Sequence, residues 1–264
     1  MSLTFTILGC GSSMGVPRVA IGWGDCDPNN PKNRRRRCSL LVERKSAAGV
    51  TRVLVDCTPD LREQLLTAEV GWLDGVLFTH EHADHTHGID DLRPLFIHKR
   101  RQVDVWADEP TSKSLHARFG YCFASPPGSD YPPIAKAHTL EPGLPVAIVG
   151  AGGTIDVLPV LQNHGEISSL GFRFSDVAYS ADIKSLPPES IEAMAGLDVW
   201  IVDALRQAPH PSHLNLDEAL HWIARIKPKR AILTNLHSDM DYEMLRGKLP
   251  PNVEPAFDMM CFAG

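Results

Sequence analysis

The chain reads as an α/β protein of α+β character, with two packed, mostly antiparallel or mixed sheets flanked by helices. Three observations predict this. Short apolar or alternating runs recur along its length, each closed by turn residues. The first half is rich in such strand signals, while the second half falls into a βα rhythm. The composition, 43% hydrophobic and 22% charged over 264 residues, is ordinary for a globular protein. A chain of this length buries roughly three quarters of its unfolded surface. No low-complexity run or linker divides it, so a single domain over residues 1-264 is expected.

Leu3, Phe5 and Ile7 alternate with Thr4 and Thr6 and predict a half-buried first strand. It leads into the glycine-rich turn Gly9-Cys10-Gly11-Ser12-Ser13-Met14-Gly15, which lacks the Gly-Lys-Ser/Thr ending of a phosphate-binding loop. An irregular stretch from Ile21 to Arg37 follows. A hairpin of Ser39 to Glu43 with Arg52 to Asp56 turns at Ala47-Ala48-Gly49. Pro59 to Leu66 has apolar residues three and four apart and predicts a helix. Trp72 to Phe78 predicts a strand, Ile89 to His98 a helix, Val103 to Trp106 a strand and Ser112 to Phe119 a helix. Cys122 to Pro133, rich in Pro, Gly and Ser, is expected to be a surface loop near a substrate entrance. Strands are expected at Val146 to Val149, Thr154 to Val160, Ser169 to Phe174 and Val177 to Tyr179. Helices at Pro188 to Ala195, Asn215 to Ile226 and Tyr242 to Leu249 then alternate with strands at Asp198 to Asp203 and Arg230 to Thr234.

The net charge of -6 and a pI near 6.0 argue against a large nucleic-acid footprint. The basic cluster is Lys32 to Arg37. No apolar run reaches membrane-spanning length, and Met1 to Gly15 lacks the basic and apolar regions of a signal peptide, so a cytoplasmic protein is expected. Six cysteines without paired spacing fit reduced thiols.

The densest chemistry lies in Thr79-His80-Glu81-His82-Ala83-Asp84-His85, with His87 just beyond. Residues two apart do not share a helix face, so His80 and His82 converge only from a loop that leaves a strand end. The cluster can start two adjacent metal sites. His164, Asp182 and His237 each follow an apolar segment in a polar loop and complete the count. The expected shells are His80, His82 and His164 for one ion and Asp84, His85 and His237 for the other, bridged by Asp182. Each shell leaves an open position, as catalysis requires. Asp56 either accepts the free ring N–H of a ligand histidine or caps the helix near Pro59. His213 precedes a helix whose Asn215 and Glu218 have capping-box spacing, and a phosphate at that helix start would meet amide donors, the dipole and an imidazole. Ser12 and Arg93 are further candidates for substrate contact.

These residues resemble the metallo-β-lactamase superfamily: His80-x-His82-x-Asp84-His85, then His164, Asp182 and His237 in that order. Gly9-x-Gly11, Gly15-Val16-Pro17, Asn33-Arg34-Arg35, Gly88 to Arg93, His213-Leu214-Asn215 and Thr234 to His237 are similar to the PhnP-like cyclic-phosphate phosphodiesterases, relatives of the tRNA 3′-processing endonucleases. The resemblance implies a four-layer αβ/βα sandwich with a dinuclear site at one edge, and it matches His213 to a histidine on the scissile phosphate. Several such proteins carry a Cys-x-Cys-x-x-Cys run that forms a separate structural zinc site. Here Cys26 stands alone, with Ile21 and Trp23 at the earlier positions, so no extra zinc is expected.

The expected activity is metal-dependent hydrolysis of a small phosphodiester or nucleotide. Two divalent ions, zinc or manganese with iron also admitted, would activate water, and Asp182 and His213 would serve as catalytic residues. The rivals are tRNA 3′-end cleavage and lactone or thioester hydrolysis. Only eighteen positions separate His164 from Asp182, which leaves no room for a tRNA-clamping arm. The expected partners are therefore a small substrate and at most a second copy of the chain in a homodimer.

Overall fold

The computed structural model describes residues 3–264. Met1 and Ser2, part of the stretch read for a leader, lie outside the described residues. Two seven-stranded sheets face each other. The first is built from β1 (Leu3–Gly9), β2 (Ser39–Ser46), β3 (Gly49–Val55), β4 (Gly75–Leu77), β5 (Val103–Ala107), β6 (Ala135–Thr139) and the C-terminal β14 (Met260–Ala263), in the order β14-β1-β2-β3-β4-β5-β6. The second is built from β7 (Val146–Gly150), β8 (Gly153–His164), β9 (Ile167–Phe174), β10 (Val177–Ser180), β11 (Val199–Asp203), β12 (Arg230–Thr234) and β13 (Val253–Pro255), in the order β13-β12-β11-β10-β9-β8-β7. Both sheets are mixed: β1 to β3 pair antiparallel and β3 to β6 parallel, while β7 to β10 pair antiparallel and β10 to β13 parallel.

The two-residue period of the strands sorts their side chains into layers. Val53 and Val55 of β3 and Ile201 of β11 enter the core between the sheets, with Phe5, Ile7, Phe172 and Tyr179. Leu54 points to the opposite face, onto α1 (Leu61–Thr67) through Leu61 and Leu65. Trp200 and Val202 point away from the inter-sheet core onto α6 (Leu216–Ile226), whose Leu216, Ala219, Ile223 and Ile226 are spaced three and four apart. Strands hydrophobic on both faces therefore become the two middle layers and the helices the outer two. The result is a four-layer metallo-β-lactamase sandwich. No described helix is long and apolar enough to cross a membrane.

Several boundaries differ from expectation. The first helix begins at Leu61 and not Pro59, because a turn closed by Leu61 N–H to the Thr58 carbonyl precedes it. Ile89 to His98 divides into a 3₁₀ turn (Ile89–Leu92) and α3 (Arg93–Lys99), where Pro94 lacks the N–H that would continue one helical ladder. The stretch expected as loop and helix between Pro110 and Pro145 also contains β6. This strand and β13 and β14 escape a sequence reading because edge strands of three to five residues show little periodicity. The helix at Ser112 to Phe119 extends back as α4 (Glu109–Phe119), capped by the Asp108 carboxylate on Thr111 N–H at 3.0 Å.

Gly9 has a steric role. A Cβ there would lie 2.1 Å from the Arg37 carbonyl oxygen, so the turn packs directly on the arginine-rich backbone. Within that run Arg35 is buried and donates to the Met240 and His237 carbonyls at 2.7 and 3.3 Å. Arg36 pairs with Asp258 and Arg37 with Asp60. Most of the basic cluster is thus committed to the His237–Met240 segment, Asp258 and the start of α1.

Candidate metal centre

The parallel run β10-β11-β12 brings three strand ends to one edge. Asp182 lies two residues past β10, Asp203 ends β11, and His237 lies three residues past β12. β8 runs parallel to β10 with β9 between them, so its last residue, His164, joins the same edge. From the facing sheet, the segment after β4 delivers Thr79, His80 and His82, the last in extended backbone, and the single helical turn α2 (Ala83–Thr86) carries Asp84 and His85.

Asp182 is the centre of the cluster. Its carboxylate lies 3.7 Å from His80 Nε2, 3.2 Å from His85 Nε2, 3.5 Å from His164 Nε2 and 3.7 Å from His213 Nε2. Asp84 Oδ2 is 3.4 Å from His85 Nε2, and His82 Nδ1 is 3.3 Å from His164 Nε2. One donor atom each from His80, His82, His164 and Asp182 falls within a 4.8 Å set.

The opposite ring nitrogens explain the orientation. His85 Nδ1 donates to Asp56 Oδ2 at 2.6 Å, and His164 Nδ1 donates to the Ser212 carbonyl at 2.8 Å. Thr79 Oγ1 donates to Asp56 at 2.8 Å and so accepts from His80 Nδ1 at 2.9 Å. In each ring an Nδ1–H is spoken for, and the Nε2 lone pair is left facing Asp182. His80 Nε2 is buried with no hydrogen-bond partner at all. Lone pairs converging on a carboxylate repel one another, and a divalent cation satisfies all of them. The donor set thus fits a metal site.

The electrostatics agree. Burial, reinforced by neighbouring His85, pushes His80 well below the usual imidazole range, and burial lowers His164 as well. Burial works against a charged Asp182, but His85 and His213 hold its carboxyl well below the usual range. At His85 burial is outweighed by Asp182, Asp84 and Asp56, which raise it well above normal. His213 donates Nδ1–H to Asp203 Oδ2 at 2.8 Å. Burial opposes its charge, yet Asp203 and Asp182 raise it to about 9, while complete burial pushes Asp203 up to about 7.

A cavity of about 310 Å³ opens onto this cluster, with Ser12, Arg18, Asp84, Asp182, His213 and His237 in its wall. Of the expected second-shell residues, Asp56 lies on His85 and Thr79 and not at the start of α1. Ser12 lines the cavity with its Oγ buried and unpartnered. Two expectations are corrected. Arg93, the first residue of α3, pairs with Asp90 at 2.6 Å and lies near Tyr121 in a separate groove with Phe96. The start of α6 is not open to a phosphate: Asn215 Oδ1 accepts from Glu218 N–H at 2.9 Å and the Glu218 carboxylate accepts from Asn215 N–H at 3.0 Å. The capping box already supplies the anion, and Lys184 neutralises it at 2.7 Å. His237 lines the cavity, but its carboxylate contact is Asp239 at 3.1 Å, and its Nε2 accepts from Arg18 Nη1 at 2.6 Å. His87 packs on Phe119.

Sequence reading missed Arg18, Asp203, Thr79 and Asn235, whose amide donates to Asp182 Oδ1 at 3.3 Å. Asp203 carried a usable signal. It is a carboxylate that ends the otherwise apolar run Val199-Trp200-Ile201-Val202, much as Asp56 follows Val53-Leu54-Val55.

Residues 51–235 match the family described as Beta-lactamase superfamily domain. The chain is 33% identical to a crystal structure described as a new diphosphatase from the PhnP family, covering 100% of this chain and 98% of that one with a TM-score of 0.89. It is 33% identical over 257 residues to an octanoyltransferase of Porphyromonas gingivalis, covering 96% of this chain and 50% of that protein. It is also 32% identical over 168 residues to a ribonuclease Z of a Bradyrhizobium species, covering 62% of this chain and 51% of that protein. The chain therefore spans about half the length of these two curated relatives. Fold, histidine cluster and these likenesses together establish that the chain belongs to the β-lactamase superfamily and, within it, to the PhnP family of metallo-β-lactamase-fold hydrolases.

Proposed function

We propose that the protein is a dinuclear metal-dependent phosphodiesterase acting on a small phosphodiester or nucleotide. The observation that carries this reading is the Asp203–His213 pair set beside Asp182, an imidazole oriented by a buried carboxylate at the wall of the cavity. His80, His82 and His164 would hold one ion and Asp84, His85 and His237 the other, with Asp182 between them. Zinc or manganese in these places would supply Lewis acidity and lower the pKa of a water. Asp203 keeps His213 charged and oriented, so that its Nε2–H stabilises a phosphoryl oxygen or protonates the leaving oxygen. Thr79, Asp56 and Ser212 fix the ligand rings, and Asn235 orients Asp182. Arg18 and Arg206 in the cavity wall favour an anionic substrate.

β8 and β9 join through Gly165 and Glu166 alone, and both strands stay within the sheet, which favours a small substrate over a tRNA. A second reading, cleavage of a diphosphate linkage, is favoured by the likeness to the PhnP-family diphosphatase. The six cysteines stand free, which supports a reducing, cytoplasmic setting.

The test is a substrate panel with zinc or manganese: bis-p-nitrophenyl phosphate, a 2′,3′-cyclic nucleotide, a dinucleoside diphosphate, a lactone and a precursor tRNA. Turnover of the diesters is expected, and preference for the diphosphate selects the second reading. Turnover of the lactone alone overturns both.

A further inference from the structure

Arg18 lies in the cavity wall without a counter-charge. Its Nη1 donates to His237 Nε2 at 2.6 Å, its Nη2 meets Met14 Sδ at 2.8 Å, and its buried Nε has no partner. Among the described residues no carboxylate pairs with it, whereas Arg35, Arg36 and Arg37 beside it in the fold are all committed to carbonyls or carboxylates. An imidazole and a thioether are poor complements for a partly desolvated guanidinium, and an oxyanion is the natural one. The wall supplies a second unsatisfied donor in Ser12 Oγ, buried and without a partner.

The partner that Arg18 does have carries a consequence. A guanidinium only donates, so His237 Nε2 presents its lone pair, while Nδ1–H donates to Asp239 Oδ1 at 3.1 Å. That is the tautomer a metal ligand needs, with a carboxylate behind the ring. The single lone pair accepts from Arg18 or binds a cation, and the two are mutually exclusive. Arg18 is anchored in the small turn closed by Arg18 N–H to the Gly22 carbonyl at 2.8 Å and Gly22 N–H to the Arg18 carbonyl at 2.7 Å. Its long side chain can therefore leave His237 without moving the sheet edge.

We propose that Arg18 is a phosphate-binding residue that occupies His237 until an oxyanion enters the cavity, so that the substrate's phosphate and the cation at His237 bind with positive coupling. The inference rests on the dinuclear reading above. A phosphate oxygen takes the guanidinium and Ser12 Oγ–H and releases His237 Nε2, which with Asp84 and His85 would then be free to hold a cation. By linkage, whatever the anion does for that cation the cation does for the anion. The site is thereby assembled around anionic substrates and left incomplete for neutral esters.

Manganese binding to metal-free protein, followed by calorimetry with and without saturating inorganic phosphate, tests this. In the wild type two ions are expected, the second tightened about tenfold by phosphate. In Arg18→Met the second ion is expected to bind about tenfold more tightly without phosphate, with coupling reduced to within about twofold, and phosphate binding to the metal-free protein to weaken about tenfold. Arg18→Lys, which keeps the charge, is expected to retain phosphate binding and guards against a folding defect. Two ions with the same constants and the same coupling in both proteins overturn the role of Arg18 alone. One ion in the wild type, with phosphate present, overturns the dinuclear reading and this inference together.

Discussion

His213 Nδ1 and Asp203 Oδ2 lie 2.8 Å apart, and Asp203 is fully buried behind the ring. The carboxylate fixes the imidazole with its Nε2–H toward the cavity and favours its charged form. In the proposed function this pair makes His213 the general acid.

Asp203→Asn is therefore expected to lower kcat about 10²-fold on a diester with an alkyl leaving group, the lower end of what a positioned acid contributes. With p-nitrophenolate, which needs no proton to depart, the loss is expected to be several-fold at most. Metal content should stay unchanged. Steady-state kinetics on the two substrates check this, and equal losses on both would remove His213 as the acid.

The Asp56–His85 contact predicts a different kind of defect. Asp56→Asn keeps the volume but loses the anionic acceptor at 2.6 Å from His85 Nδ1, so metal affinity is expected to fall about 10- to 100-fold. Competition with a chromogenic chelator measures it. Unchanged affinity would show that Asp56 serves Thr79 and the loop only.

The arginine run separates structure from surface. Arg35→Met leaves the Met240 and His237 carbonyls without their donor and is expected to cost about 2–4 kcal/mol. Arg34, exposed beside Trp23, is expected to cost under about 0.5 kcal/mol as Arg34→Met. Urea denaturation of the two variants decides, and similar midpoints would contradict the burial argument.

Asp241 gives a pH prediction. Partial burial works against its charge, but the amides of Met244 and Asp27 and the side chain of Asn33 donate to it at 2.9, 3.1 and 2.7 Å and lower its pKa. A carboxylate depressed in the folded state contributes stability that is complete above the ordinary carboxylate range and is lost as pH falls through the depressed value. The wild type is therefore expected to lose stability steeply below about pH 4. Asp241→Asn should be weaker at pH 7, with a shallower acid slope. Parallel curves from denaturation at stepped pH would refute it.

By itself the sequence determined what short range encodes. The unbroken apolar run Val53-Leu54-Val55 favours a strand buried on both faces, and the spacing of Leu216, Ala219, Ile223 and Ile226 favours a helix with one buried stripe. The clustering of His80, His82, Asp84 and His85 within six positions puts side chains able to bind a metal in one place. His164, Asp182 and His237 stand out in the sequence as polar residues after apolar runs, and the ends of β8, β10 and β12 meet at one sheet edge. What only the tertiary structure decided is which nitrogen of each ring faces the centre and what stands beyond it. Asp203 reaches His213 through a parallel strand, Ser212 reaches His164 across 48 positions, and Arg18 reaches His237 across 219. The same holds for what is already taken: Glu218 fills its own helix start, and Arg93 pairs with Asp90 in a separate groove. Side-chain periodicity reports which face a residue takes, whereas hydrogen-bond partners across two sheets depend on where separate strands end, and no local pattern carries that.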